Sequence, residues 1–332
     1  MFGTIRFFVG IIFFNMKKVR MVLFMAIKFK KKSSRQLGIE INGSLLTAVL
    51  CKHDTWEFEF EPISIELDDD CVENGLFINP QKVFAVLSEL VKTQGWQGID
   101  VVTTIISRQM VIRHIDFPMM QDKELNETVK WEITQHIPYA EEDVVYDWDN
   151  LGQMKKEQPN MNTILLAAAP NATIDSYIQV FNETGITLQA IDIVPAALRR
   201  WLLYIGASQW PDVQILTIGI INFGEEMTNL VVIKDGAIQF ARSLAYGKQH
   251  LAMMGSEKLF IEELYRSIEY YQNHCKGQIA RIIITGGIDE EKSLYNIASQ
   301  IVKVPIEMGD VELSKLDSRY AVAAGLALKG VV

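Results

Sequence analysis

The chain is predicted to fold as a duplicated α/β protein, two lobes around a central cleft, with a smaller βαββαβ-type unit inserted in the first lobe. Three observations carry this. Two strand–turn–strand openings, Leu37–Leu50 and Ile215–Ile233, recur about 180 residues apart. Each is followed by amphipathic helices and returning apolar strands, the alternation of a layered α/β domain. Between them, residues 107–186 run through strands and helices of their own. The length, 332 residues, corresponds to about two domains. With 49% hydrophobic and 22% charged residues, the chain has enough apolar surface to offset the entropy of ordering it.

Charge divides unevenly. Residues 1–36 hold nine Lys or Arg and no acid, which leaves 23 basic against 41 acidic residues beyond them, a net of −18. An acidic body repels a phosphate backbone, so nucleic-acid binding is excluded as its main task. Phe7–Phe14 is apolar, but eight helical residues span only about 12 Å of a ~30 Å hydrocarbon core. Asn15, Lys17, Lys18 and Arg20 interrupt it before the second short run, Met21–Ile27. Two readings of this extension stand: a start at Met16, Met21 or Met25, or a segment that touches a membrane surface. Cys51, Cys71 and Cys275 lack C-x-x-C spacing and read as reduced thiols of an intracellular body.

The elements follow in order. Leu37–Ile41 and Leu45–Leu50 read as strands joined by a tight turn at Asn42-Gly43. Ile63–Leu67 is a third strand, and Asp68-Asp69-Asp70 after it lacks cation-ligand spacing and reads as a solvated turn. Asn79-Pro80 opens a helix with Val83, Val86, Leu87, Leu90 and Val91 on one face, and Val101–Ile106 is a buried strand. In the insert, Met110–Phe117 is a strand, and Asp122 caps a helix carrying Leu125, Val129, Ile133 and Ile137 up to Pro138. Strands at Asp143–Asp149 and Thr163–Ala169 flank the polar loop Gln153–Asn162, and the helix Ile174–Glu183 ends at Gly185. The second lobe has strands at Ile215–Ile221 and Thr228–Ile233, a helix at Glu257–Cys275, and the strand Arg281–Thr285 before Gly286-Gly287. The predicted division is an extension at 1–36, a first lobe from 37–106 and 187–212, an insert at 107–186, and a second lobe at 213–332.

Several stretches resemble the type IV pilus assembly protein PilM family. They are Trp131-Glu132 through His136-Ile137-Pro138, Asp147, Leu151-Gly152, Arg266 through Tyr271, Thr285-Gly286-Gly287 and Ala321–Leu328, with Met25–Lys32 similar to the family's basic start. The resemblance covers roughly residues 25–330 and favours Met25 as initiator. It implies the actin-like fold of the division protein FtsA, with a subdomain inserted in the first half. It also implies a cytoplasmic scaffold, peripheral to the inner membrane, that captures the N-terminal peptide of a PilN-like membrane protein between the first subdomain and the insert. Pilus motor ATPases would lie downstream.

In that fold, two turns and a glycine strand-end grip ATP, and an Asp beside each turn holds Mg²⁺ through water. The resemblance maps the nucleotide site onto Glu40, Asn42, Gly43, Ser44, Asn222, Gly224, Thr228, Glu263, Arg266, Gly286 and Gly287. Glu40 and Asn222 stand where the family has Asp, Thr47 where it has Lys, and Glu225 and Glu226 adjoin the second turn. A carboxylate ~5 Å from a phosphate oxygen is repelled by roughly 3 kcal/mol at an effective dielectric of ~20. ATP with Mg²⁺ is therefore expected to bind weakly or not at all, and turnover to be absent. His53, His114, His136, His250 and His274 form no i, i+4 metal pair, and no nucleophile elbow or Walker loop occurs. The alternatives are a PilM-like paralogue of a related secretion, competence or agglutinin-pilus system, and a sugar kinase on the same scaffold. Against the kinase stand Glu40 and Asn222. Trp131 and Trp148 either cover the sheet of the insert or border the peptide groove.

Overall fold

The computed structural model describes residues 34–52, 55, 57–153, 160–251, 256–275, 277–287, 296, 298, 299, 302–311 and 316–330. The readings made on residues 1–33, and those on 154–159 of the polar loop, lie outside the described residues.

The first lobe grows from a hairpin. β1 (Arg35–Asn42) and β2 (Leu45–Lys52) pair antiparallel with Asn42 opposite Leu45. Gly43 takes a φ of 59° at the turn, where a side chain would be strained. β3 (Phe58–Glu66) extends the sheet, and the two-residue strands β4 (Val72–Glu73) and β5 (Leu76–Phe77) lead into α1 (Pro80–Thr93). Proline in the first turn costs no helical hydrogen bond, and the buried Val83, Leu87, Leu90 and Val91 share the face that the spacing predicts. β6 (Asp100–Thr104) then runs parallel to β1, buried along its whole length.

The insert has a three-stranded sheet in the order β7-β9-β8, from β7 (Val111–Pro118), β8 (Val144–Gly152) and β9 (Met161–Pro170). α2 (Asp122–His136) covers one face, with Leu125, Val129 and Ile133 packed among Ile115, Phe117, Ile164 and Leu166. Its N-cap is Gln121 with no side-chain cap bond, so Asp122 begins the helix instead of capping it. Trp131 does not cover the sheet: it is 80% exposed on the outer face of α2.

One element grouped with the insert by the sequence reading packs elsewhere. α3 (Asn171–Glu183) buries Ile174, Tyr177, Val180 and Phe181 in the first-lobe core beside Val83 and Leu87. Phe77 stacks on Tyr177 at 4.2 Å. β10 (Thr187–Asp192) follows directly after the predicted insert at 107–186 and pairs parallel with β6, giving the first-lobe sheet β10-β6-β1-β2-β3.

The second lobe repeats the plan. β11 (Ile218–Phe223) and β12 (Thr228–Lys234) form the hairpin, β13 (Ala237–Leu244) extends it, and β14 (Arg281–Gly286) runs parallel to β11 with β15 (Ile306–Met308) outside. The short α5 (Lys248–Leu251) and the long α6 (Ser256–His274) lie between β13 and β14. Phe260, Leu264, Ile268 and Tyr271 of α6 pack on the sheet.

α4 (Val194–Tyr204) and α7 (Ala321–Ala327) join the lobes. Around them one core runs continuously from Val49 and Val102 of the first sheet to Ile220 and Val231 of the second. α7, counted with the second lobe by sequence, lies against β1 and α4. The approach needs glycine on both sides: a Cβ at Gly38 would overlap the Ala323 carbonyl, and one at Gly325 the Ala197 carbonyl. Gln36 Nε2 donates to the carbonyls of Ala327 and Lys329, both at 3.0 Å, and fastens the end of α7 to β1.

Candidate functional site: interlobe cleft and insert groove

The two hairpin turns and the end of β14 meet in the cleft. Glu40, Asn42, Asn222, Gly224, Gly286 and Gly287 line one small pocket there, together with Leu45, Thr47, Glu225 and Arg319. Gly43 borders it, lying against the Glu225 and Glu226 side chains. Ser44 sits in the same turn, its carbonyl accepting from Leu67 N at 2.6 Å. Thr228 starts β12, with its hydroxyl donating to the Tyr246 carbonyl at 2.6 Å. Glu263 and Arg266 are not among the residues that line the pocket. On α6, Glu263 faces Arg242 of β13 at 3.5 Å, and Arg266 faces Glu262 at 3.9 Å with most of its side chain exposed.

The chemistry at the floor is unusual for a phosphate site. Glu40 is buried, and that burial pushes its carboxyl up to about 7, opposed by hydrogen bonds from Asn42 and Thr47. Thr47 Oγ1 donates to Glu40 Oε2 at 3.4 Å. Asn222 Nδ2 donates to Thr285 Oγ1 at 3.2 Å, and its Oδ1 is buried without a partner among the described residues. The register sets Thr285, Asn222, Asn229 and Ser243 side by side on β14, β11, β12 and β13, a polar row across the sheet. The water-accessible space of the pocket is ≈ 10 Å³, about the least that holds a water molecule. Lys248 Nζ pairs with Glu225 Oε1 at 3.3 Å and lies 3.2 Å from where a Cβ on Gly287 would stand. Sequence reasoning missed Lys248 and Arg319, because only the fold brings α5 and the turn before α7 to this place.

A Mg²⁺–triphosphate does not fit this set as folded. At the two positions matched to the family's Asp the chain offers a carboxyl that holds its proton to about neutral pH and an amide, and the Glu225 carboxylate in the same pocket is paired with Lys248. The two turns also touch one another: Asn42 Oδ1 accepts from Glu226 N at 3.4 Å.

A larger groove, ≈ 70 Å³, opens between the insert and the first lobe. Val145, Trp148 and Leu165 from β8 and β9 form one wall, and Ile105, Ile174 and Ile191 the other. β8 is an edge strand of its sheet and β10 an edge strand of the first-lobe sheet, so backbone donors and acceptors border an apolar trough. One end is charged. Burial alone would raise the Asp192 carboxyl, but Arg200 Nη2 at 2.5 Å and Lys329 Nζ at 3.0 Å outweigh it and hold it well below the usual range. Asp147, beside them, is raised by burial despite the Trp148 N–H it accepts and the nearby Lys329. Sequence could not assign these residues, because the groove forms between segments that are distant along the chain.

The arrangement can hold an extended segment with apolar side chains. Among the described residues no cluster of three or more His, Cys, Asp or Glu is placed to hold a metal, and no helix is long and apolar enough to cross a membrane.

Comparison with known proteins agrees with this geometry. A solved structure described as a PilM–PilN type IV pilus biogenesis complex superposes with a TM-score of 0.74 at 20% identity, covering 90% of this chain and 98% of that one. A Bacteroides thetaiotaomicron protein with an actin-like ATPase fold matches with a TM-score of 0.52 at 10% identity, over 90% and 98% of the two chains. The ethanolamine utilization protein EutJ from Carboxydothermus hydrogenoformans matches at 0.51 and 12%, over 90% of each chain. The fold is therefore actin-like, with two lobes and an insert. The sequence model of the family described as type IV pilus assembly protein PilM matches residues 38–257, about two thirds of the chain, and the protein belongs to that family.

Proposed function

We propose that the protein is a scaffold of type IV pilus assembly that captures the cytoplasmic N-terminal segment of a PilN-like inner-membrane protein in the groove between β8 and β10. The carrying observation is the groove itself: an apolar trough bordered by two edge strands, with Asp147 and Lys329 at one end. An extended segment adds hydrogen bonds along an edge strand and seats alternate side chains in the trough. Family membership supports the process, and the partner named with the similar PilM–PilN complex supports the class of ligand. Through that partner the protein would sit at the cytoplasmic face of the inner membrane, and from there relay assembly state toward pilus motor ATPases. Its work is binding, not catalysis.

The test is a titration of the full chain with a peptide copied from the cytoplasmic N-terminus of a PilN-like protein of the same organism. Saturable binding at about micromolar affinity is expected, since ordering a flexible peptide subtracts from the contact energy. Val145→Arg places a charge in the trough and should weaken binding at least about tenfold, the equivalent of one lost apolar pocket. No saturable binding by the folded protein, or equal binding by Val145→Arg, would remove this reading.

A further inference from the structure

We infer that the interlobe cleft is a closed seam, held by side chains of the chain itself, and that the two lobes are joined without a bound nucleotide. The inference concerns the cleft alone and stands apart from the peptide groove.

Four contacts occupy the space where phosphates and a metal would have to enter. Asn42, at the end of β1, reaches across to the second turn, where its Oδ1 accepts from Glu226 N at 3.4 Å. A backbone N–H in a turn of this kind is what a phosphate oxygen would need, and here a side-chain amide already uses it. Its Nδ2 rests on Gly224 so closely that a Cβ there would overlap it. The second contact is apolar: the methylenes of Glu225 and Glu226 lie 3.3 and 3.2 Å from the position of a Cβ on Gly43, bringing two carboxylate-bearing side chains against the first turn. Third, within the second lobe, Lys248 is paired with Glu225 at 3.3 Å and lies over Gly287, the glycine strand-end where a nucleoside would be admitted. Fourth, Leu45 of the first lobe stands beside the same strand-end, 3.8 Å from where a Cβ on Gly287 would lie.

The remaining opening agrees with this. Asn222 Oδ1 is a buried acceptor without a partner among the described residues, which by itself points to something bound there. The pocket that Asn222 lines has ≈ 10 Å³ of water-accessible space, enough to hold a water molecule. One water donating to Asn222 Oδ1 satisfies the orphan acceptor and leaves the seam closed.

Two measurements on the full chain test the inference. The first titrates a fluorescent N-methylanthraniloyl-ATP, with Mg²⁺ in excess, up to about 1 mM, the weak end of specific affinities. No saturable signal is expected, and the melting temperature should be the same with and without ATP and Mg²⁺. A saturable rise that unlabelled ATP competes away would overturn the closed seam. The second follows hydrogen exchange at residues 224–227. Asn42→Ala should raise exchange there about tenfold, the effect of losing one hydrogen bond, with the first-lobe core unchanged. Lys248→Met, at the partly exposed rim, should raise exchange in the same turn and provides the reading if Asn42→Ala does not fold. Protection at 224–227 indifferent to the substitution would show that these contacts do not hold the lobes.

Discussion

Glu40 shows at the scale of one residue how a changed site rewrites a pH profile. Its carboxyl is neutral in the folded and unfolded chain below about pH 4.5, so burial there costs little. As pH rises toward about 7 the unfolded chain gives up this proton while the folded one keeps it. At about 1.4 kcal/mol per pH unit, stability of about 3 kcal/mol is lost across that window. Glu40→Gln carries no such proton, so its stability relative to the parent should climb by about 3 kcal/mol between pH 4.5 and 8, read from urea unfolding. Parallel profiles for the two proteins would mean that Glu40 is solvated. The residue itself was legible in the sequence as a departure from the family's Asp. Its proton affinity was not, because that depends on β1, β2 and the second-lobe hairpin closing over it.

At the scale of elements, the two tryptophans of the insert separate what periodicity reveals from what packing decides. The i, i+4 stripe of α2 was legible, since one sheet face is all it needs. Trp131 lies off that stripe and is 80% exposed, whereas Trp148 on β8 lines the groove. Trp131→Ala should therefore leave the unfolding midpoint within about 0.5 kcal/mol of the parent and peptide affinity unaltered. Trp148→Ala should weaken the peptide and dim its fluorescence response. Equal effects of both would contradict the placement of the groove. The allegiance of α3 was hidden for a physical reason: Ile174, Tyr177, Val180 and Phe181 make the same apolar face whichever sheet they cover. The partner of β10 within the first lobe was not legible, because parallel pairing with β6 is a contact across the whole insert. The hairpin closed by Asn42-Gly43 was readable because its partners are adjacent in sequence.

At the scale of the whole molecule, the C-terminal helix decides whether there are two lobes or one body. α7 is seven residues long and entirely buried, so its own helical propensity cannot sustain it. What holds it is the close packing of Ala323 over Gly38 and of Gly325 over Ala197, together with Arg200 Nε donating to the Gly325 carbonyl at 2.7 Å. Arg200 at the same time pairs with Asp192, which Lys329 also reaches, so the groove floor, α4 and the end of α7 share one buried charge network. Removing Arg200 strands the Asp192 carboxylate with Lys329 alone in a buried site, a change of about 3–5 kcal/mol where such pairs have been broken elsewhere. Arg200→Met should lower stability by that order at pH 7. The deficit should shrink as pH falls, because Asp192, held low in the parent by its partners, accepts a proton more readily once the guanidinium is gone. Gly38→Val attacks the same junction from the strand side and should also destabilise, since its side chain must displace the backbone of α7. Denaturation followed by tryptophan fluorescence, which senses Trp201 and Trp210 in the shared core, and by hydrogen exchange in β11 should then move together for both variants. If the first lobe weakened while β11 kept its full protection, the continuous core through α4 and α7 would not be what couples the lobes.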